Sequence, residues 1–408
     1  MPSVCFYFQV HQPFRIKKYP VFNIGNDHDY FTDDSEGKLN NRKIFEKVAR
    51  KCYFPANDTM LHLLEKHPEF RISFSLSGVF LEQAEQFMPE VLNSFYRLAR
   101  TGRVEFLSET YHHSLASLYS KDEFQRQVER HRSMIKKFFA VEPTVFRNTE
   151  LIYNNEIAHW AEELGFDGIL AEGIERALGW KSPNFVYTPQ GSEHIKLLLK
   201  NYKLSDDIAF RFSSRAWEEW PLNTEKFASW VAKHNGNGET INLFMDYETF
   251  GEHQWEDTGI FAFLRNLPEA LLRYPDINFK TPSEAIAAYP ARDRIDIGEH
   301  ISWADVERDL SAWRSNAMQY AALENIYALE KDVLASGDAA LVEDWRRLQT
   351  SDHFYYMCTK WFADGDVHKY FNPYDSPYDA FISYMNVIHD MRSRLSLTRG
   401  VQSYKNAV

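Results

Sequence analysis

The sequence predicts an α/β fold, a parallel barrel followed by an α-helical bundle, and three observations predict it. The first 290 or so residues alternate short apolar runs with helix-patterned stretches, as βαβ units do. Beyond about Ala291 long helical patterns continue without a convincing strand. At 408 residues the chain exceeds a small module and suits one large barrel plus an appendage, or two domains. The change of character falls in the Pro290–Asp296 segment.

Eight runs read as strands: Val4–Val10, Ile72–Leu76, Val104–Leu107, Thr144–Phe146, Gly168–Ala171, Ile208–Phe212, Ile241–Met245 and Ile277–Lys280. Continuous apolarity, as in Ile-Asn-Leu-Phe-Met, fits parallel strands covered on both faces. Helices are expected between them at Asn57–Lys66, Pro89–Arg100, Asp122–Phe139, Asn155–Leu164, Thr224–His234 and Glu269–Tyr274. Asn57 and Asp58 suit an N-cap, and Gly102 and Gly165 stand where helices should stop. Trp180–Trp220 is the least regular stretch and reads as functional loops. Asp305–Ser336, Ala339–Cys358 and Tyr378–Leu395 form the helical remainder.

Composition excludes several classes. Lys and Arg number 46 against 58 Asp and Glu, a net charge of −12, and no basic run exists, so nucleic acid and anionic lipid are poor partners. Three cysteines, Cys5, Cys52 and Cys358, form no Cys-x-x-Cys pair, which argues against a zinc site or a disulfide framework. No run approaches 18 apolar residues, and the opening segment runs straight into a strand without a leader pattern. A reducing, cytoplasmic setting is the expectation. Nothing in the sequence sets an oligomeric state.

Parallel barrels place chemistry at the carboxyl ends of strands, where loops converge on one mouth. The first strand ends in His11-Gln12-Pro13. Glu105 lies in the third, which leads to Glu109-Thr110-Tyr111-His112-His113. The fourth ends in Arg147-Asn148-Thr149-Glu150, and a later one in Asp246-Tyr247-Glu248, continuing to Gly251-Glu252-His253. Each residue has a plain structural reading: His11 as a turn residue, the His112-His113 doublet as surface, Glu150 as a helix cap. Asp246 resists such a reading, because an acid after Ile-Asn-Leu-Phe-Met would sit buried and unpaired. Two carboxylates from different strands suit glycosidic cleavage, one attacking the anomeric carbon and the other donating a proton. Trp and Tyr, 10 and 22 in number, supply rings for sugar stacking; Trp217, Trp220, Trp255, Trp303 and Trp361 are candidates, though packing explains any single one.

Five segments resemble the motifs of glycoside hydrolase family 57, in its α-amylase and amylopullulanase-like branch. They are His11-Gln12-Pro13, Gly102–Leu115 (GRVEFLSETYHHSL), Phe146–Tyr153 (FRNTELIY), Met245–His253 (MDYETFGEH) and Ser351–Met357 (SDHFYYM). The resemblance implies an irregular (β/α)7 TIM-like barrel over residues 1–292 and a C-terminal helical bundle over 293–408 that contributes to the cleft. Eight candidate strands are one too many, with Ile208–Phe212 the surplus run. It implies retaining catalysis without cofactor or required metal, Glu150 as nucleophile and Asp246 as acid/base. His11, Glu105, His113, His253 and Asp352 would contact substrate. The sequence departs from the family at Arg147, where many relatives carry Trp, and at His113-Ser114, where many read His-Pro.

The expected activity is therefore cleavage of α-1,4-glucosidic bonds in starch, glycogen or malto-oligosaccharides. A 4-α-glucanotransferase sharing the same intermediate is the near alternative. A metal-dependent carbohydrate deacetylase would need two His and an Asp on one ion. A non-catalytic glycan-binding protein is the remaining class.

Overall fold

The computed structural model describes residues 2–32, 37–360 and 367–405. Seven parallel strands carry the site: β1 (Ser3–Val10), β2 (Ile72–Leu76), β3 (Val104–Phe106), β4 (Val145–Arg147), β5 (Gly168–Glu172), β6 (Lys196–Lys200) and β7 (Thr240–Asp246). One sheet runs β3-β2-β1-β7 and another β4-β5-β6. Two short links join them into an irregular ring. Between β3 and β4, Ser108 N–H donates to Val145 and Arg147 N–H donates to Ser108, at 3.0 and 2.8 Å. Between β6 and β7, Asn201 N–H donates to the Asn242 carbonyl at 2.9 Å, and Asn242 Nδ2 donates to the Leu199 carbonyl at 2.8 Å.

Period-two alternation then sorts the ring interior into layers. Tyr7, Val145, Leu170, Leu198 and Phe244, from five strands, form one buried cluster with Leu107. Two residues further along each strand stand Gln9, Arg147, Glu172, Lys200 and Asp246. An apolar layer thus supports a polar layer at the carboxyl ends, where catalytic groups belong.

Several expectations are corrected. Ile208–Phe212 is not a strand: Tyr202–Ala209 is a helix, begun by Asn201 accepting from Leu204 N–H. Strand β6, Lys196–Lys200, was not anticipated because Lys stands at both ends of its Leu-Leu-Leu core, and the expected Ile277–Lys280 strand is reduced to Asn278–Phe279, which pairs with β1. Asn57 does not cap a helix. Helical backbone already runs from Asn41 through a π turn into Phe54–Lys66, and Asn57 bonds Ser94 and Tyr247. Helices at Gly78–Phe87 and Ile260–Leu272 were also absent or truncated in that reading. Gly102 and Gly165 do end their helices, at φ +68° and +78°.

After residue 300 the helices are shorter than their patterns suggest. Ala339–Arg347 stops before Ser351–Tyr355, because Thr350 pairs with Ser114 of the barrel loops. Trp313, Trp345 and Tyr384 pack in the same buried cluster as Phe146 and Ile169 of the sheet, so helices and sheet share one core. Among the described residues no helix is long and apolar enough to cross a membrane.

Candidate active site

Glu150 follows β4 on a single 3₁₀ turn and holds φ 58°, ψ 23°, a left-handed conformation that costs a glutamate roughly 1–3 kcal/mol. Its carbonyl accepts from Trp303 N–H at 3.2 Å. Its carboxylate is gripped on both oxygens: Trp303 Nε1 donates to Oε2 at 2.8 Å, and Ser351 Oγ donates to Oε1 at 3.1 Å. His113 Nε2 stands 3.4 Å from Oε1. Burial alone would raise this carboxyl's pKa, but His113, Arg147 and Trp303 together bring it below the ordinary value.

His113 is bracketed by acids. Its Nδ1 lies 2.7 Å from Glu109 Oε2, and Gln9 Nε2 donates to Glu109 Oε1 at 2.9 Å. Burial opposes the imidazolium, yet hydrogen bonds to Glu109 and Glu150 push its pKa up to about 9. Glu109 answers in the opposite sense: burial would raise it, and His113 holds it down at about 2. Glu109, His113 and Glu150 form a charged chain ending on the nucleophile candidate. His11 stacks on His113 with centroids 4.0 Å apart, bonding Ser77 through Nδ1 at 2.7 Å and Asp352 through Nε2 at 2.9 Å. Burial lowers the His11 pKa and the His113 charge adds to this. Asp352 is held well below the carboxylate range, because His11 outweighs the effect of burial.

Asp246 ends β7, in register with Gln9 of β1, and its carboxyl has no hydrogen-bond partner among the described residues. Burial, reinforced by the Glu150 charge, raises its pKa to about 6 despite Arg147, His113 and Lys200. Close by, Glu248 accepts from Tyr53 OH at 2.5 Å and is raised to about 8, by burial first and Asp246 next. Arg147 is fully buried, and none of its three guanidinium nitrogens has a hydrogen-bond partner among the described residues. Its guanidinium lies 4.7 Å from the Trp303 ring centroid, and Lys200 Nζ lies 5.4 Å from the same ring. Two cations therefore flank the indole that holds Glu150.

Of the residues expected at the site, Glu150, Asp246, His11, His113 and Asp352 come together. Glu105 does not. It accepts from Ser283 N–H at 2.9 Å, at the start of the Pro282–Ala288 helix. Its charge also acts on Cys5, near the amino end of β1. Residues 105, 107 and 109 alternate inward, so Glu105 lies below the apolar layer and Glu109 above it. Nor does His253 join the group: its ring packs edge-on against Phe371 at 5.1 Å, and burial lowers its pKa to about 4. The sequence reading noted Glu109 and Glu248 at strand ends without choosing either as a site residue, and it did not single out Ser351. Glu109 had a signal in its i,i+4 spacing to His113, and Ser351 had one in opening the Ser351–Met357 segment. Among the candidate rings, Trp303 reaches Glu150, Trp220 and Trp255 are exposed, and Trp361 lies outside the described residues.

A parallel α/β fold whose strand ends gather two carboxyl groups shifted in opposite directions, Glu150 downward and Asp246 upward, suits glycosidic chemistry. The chain belongs to glycosyl hydrolase family 57, whose sequence profile matches residues 5–298. It is 44% identical over 398 residues to a Methanocaldococcus jannaschii protein named "Putative alpha-amylase", an alignment covering 95% of this chain and 83% of that one. A 4-alpha-glucanotransferase of Thermococcus litoralis is 23% identical over 254 residues, covering 61% of this chain and 37% of that enzyme. Its crystal structure superposes with a TM-score of 0.59 at 19% identity, covering 91% of this chain and 54% of the other. A family branching enzyme of Thermococcus kodakaraensis gives a TM-score of 0.68 at 15% identity, covering 87% and 86%.

Proposed function

We infer that the chain cleaves α-1,4-glucosidic bonds in starch, glycogen or malto-oligosaccharides with retention, Glu150 acting as nucleophile and Asp246 as acid/base. The observation that carries this reading is the opposite displacement of two neighbouring carboxyl groups, Glu150 downward and Asp246 up to about 6. Ionised Glu150 attacks the anomeric carbon as the glycosidic C–O bond breaks. The Asp246 proton passes to the departing oxygen. Water then attacks the glycosyl ester, its proton returns to Asp246, and Glu150 leaves as carboxylate. In this reading Asp352 and Glu248, the remaining acids of the group, take the contacts to sugar hydroxyls. His11 and His113 act as positioning residues, since both nitrogens of each ring are engaged by protein groups. The same engagement disfavours the deacetylase alternative, which needs free imidazoles for a metal.

Asp246→Asn tests the acid. Turnover of starch should collapse, while an aryl glycoside with a good leaving group keeps most of its rate; equal losses on both would sink the assignment. The similarity to a glucanotransferase keeps transfer as the second reading. Product sizing with maltotriose separates the two: shorter products alone mean hydrolysis, and longer oligomers mean transfer.

A further inference from the structure

A cavity of about 620 Å³ opens on the flank of the ring, lined by the segments that follow β5 and β6, and none of its lining residues belongs to the proposed catalytic group. Its size falls in the range of ligand pockets, roughly 300–1,000 Å³. Trp217 and Trp230 form one corner, with ring centroids 6.1 Å apart and planes at 73°. Arg211 backs Trp217 at 5.8 Å and is held by Asp207, which also lines the cavity. A polar chain forms another wall. Asn201 Nδ2 donates to Asn184 Oδ1 at 3.0 Å, and Asn184 Nδ2 donates to His234 Nδ1 at 3.1 Å.

That chain fixes the state of His234. Because Nδ1 accepts, the proton of the neutral ring is on Nε2, and burial lowers the ring's pKa, which favours the neutral form. Nε2–H has no partner among the described residues and remains a donor. At the lip, a Cβ on Gly173 would lie 2.2 Å from the Lys200 carbonyl, so only glycine lets β5 and β6 close on each other there. The rim cations are neutralised: Lys203 pairs with Glu175 and Lys181 with Asp293, each at 2.7 Å. Such a cavity offers nothing to a phosphate. Aromatic faces beside an imidazole donor, amides and a carboxylate suit an uncharged polyhydroxylated ring.

We propose that this cavity is a second, non-catalytic binding site for a short run of α-glucan. It rests on the glucan reading above and adds a place where polymer is held while another stretch is cut. The two sites share a wall. Lys200 and Asp206 face the charged group around Trp303 and Arg308, whereas their neighbours Asn201 and Asp207 line the cavity.

Affinity electrophoresis through glycogen-containing gels, with kinetics on glycogen and on maltotriose, tests this on the full chain. Trp217→Ala and His234→Ala, each checked by thermal melting, should weaken glycogen retention about fivefold, the scale of one lost stacked ring. KM for glycogen should rise in step, with kcat/KM for maltotriose within twofold of the parent. Unchanged retention in both folded variants would overturn the site. Should either variant melt early, calorimetry of maltotetraose binding to Glu150→Gln decides, with two sites expected and a single site overturning the proposal. A parent that retains glycogen but cleaves no glucan would defeat the hydrolase reading and leave the cavity's role intact. Cleavage with retention indifferent to Trp217 and His234 would do the reverse.

Discussion

At the scale of single residues, the proposed mechanism rests on the opposite shifts of two carboxyl groups that feel each other's charge. A carboxyl raised to about 6 stays protonated until the pH passes that value, so kcat/KM should fall above about pH 6 as Asp246 loses its proton. Glu150→Gln removes the neighbouring negative charge, and carboxyl-carbon NMR should then find Asp246 titrating lower; an unmoved titration would deny that the two groups interact. Glu109→Gln breaks a buried ion pair and should cost about 3 kcal/mol in urea unfolding at pH 7. The sign differs at the two ends of the pH range. Glu109, depressed to about 2, gives stability that is present above its unfolded value and lost as the pH falls toward 2. His113, raised to about 9, gives stability present below its unfolded value and lost as the pH rises through 9. The variant should therefore show a flatter stability profile at both ends. The sequence exposed Asp246 because an acid straight after Leu-Phe-Met at the end of a buried strand has no cheap alternative. It could not separate Glu105 from Glu109, since both lie on one face of an extended segment and only the depth within the ring distinguishes them.

At the scale of elements, the misread region is the one that builds the flank. Ile208–Phe212 is apolar enough for a strand, but it closes an amphipathic helix whose Asp206 and Asp207 are matched by Arg308 and Arg211. Strand β6 was hidden by its terminal lysines, and Lys200 is buried only because Glu172 and Asp206 neutralise it at 3.4 and 3.1 Å. Such compensation comes from residues far away in sequence, so no local pattern reveals it. Gly173→Ala tests the tight meeting of β5 and β6. A methyl driven against the Lys200 carbonyl should lower stability by about 3 kcal/mol and be visible as a drop in Tm. The long patterns after residue 300 were legible as helices, while their breaks were not. Thr350 leaves the helix to pair with Ser114, and that break delivers Ser351 to Glu150.

At the scale of the molecule, Glu150, the proposed nucleophile, is fastened by groups more than 150 residues downstream, Trp303 and Ser351. A chain cut after residue 298 keeps both carboxyl groups yet loses these donors and uncovers the face that Trp313 and Trp345 bury. It should emerge from size exclusion as aggregate and cleave no glucan; a monodisperse, active fragment would refute this dependence. The ring itself is uneven in strength. Most neighbouring strands share a ladder of bonds, but β6 and β7 meet through Asn201 and Asn242. That join is the line along which the sheet should breathe: deuterium uptake at the Asn201 amide should outrun uptake within β1, and saccharide lodged in the adjoining flank should slow it. A weak fastening beside a ligand pocket makes polymer capture a brace for the whole ring, so the enzyme would be sturdiest while it is at work.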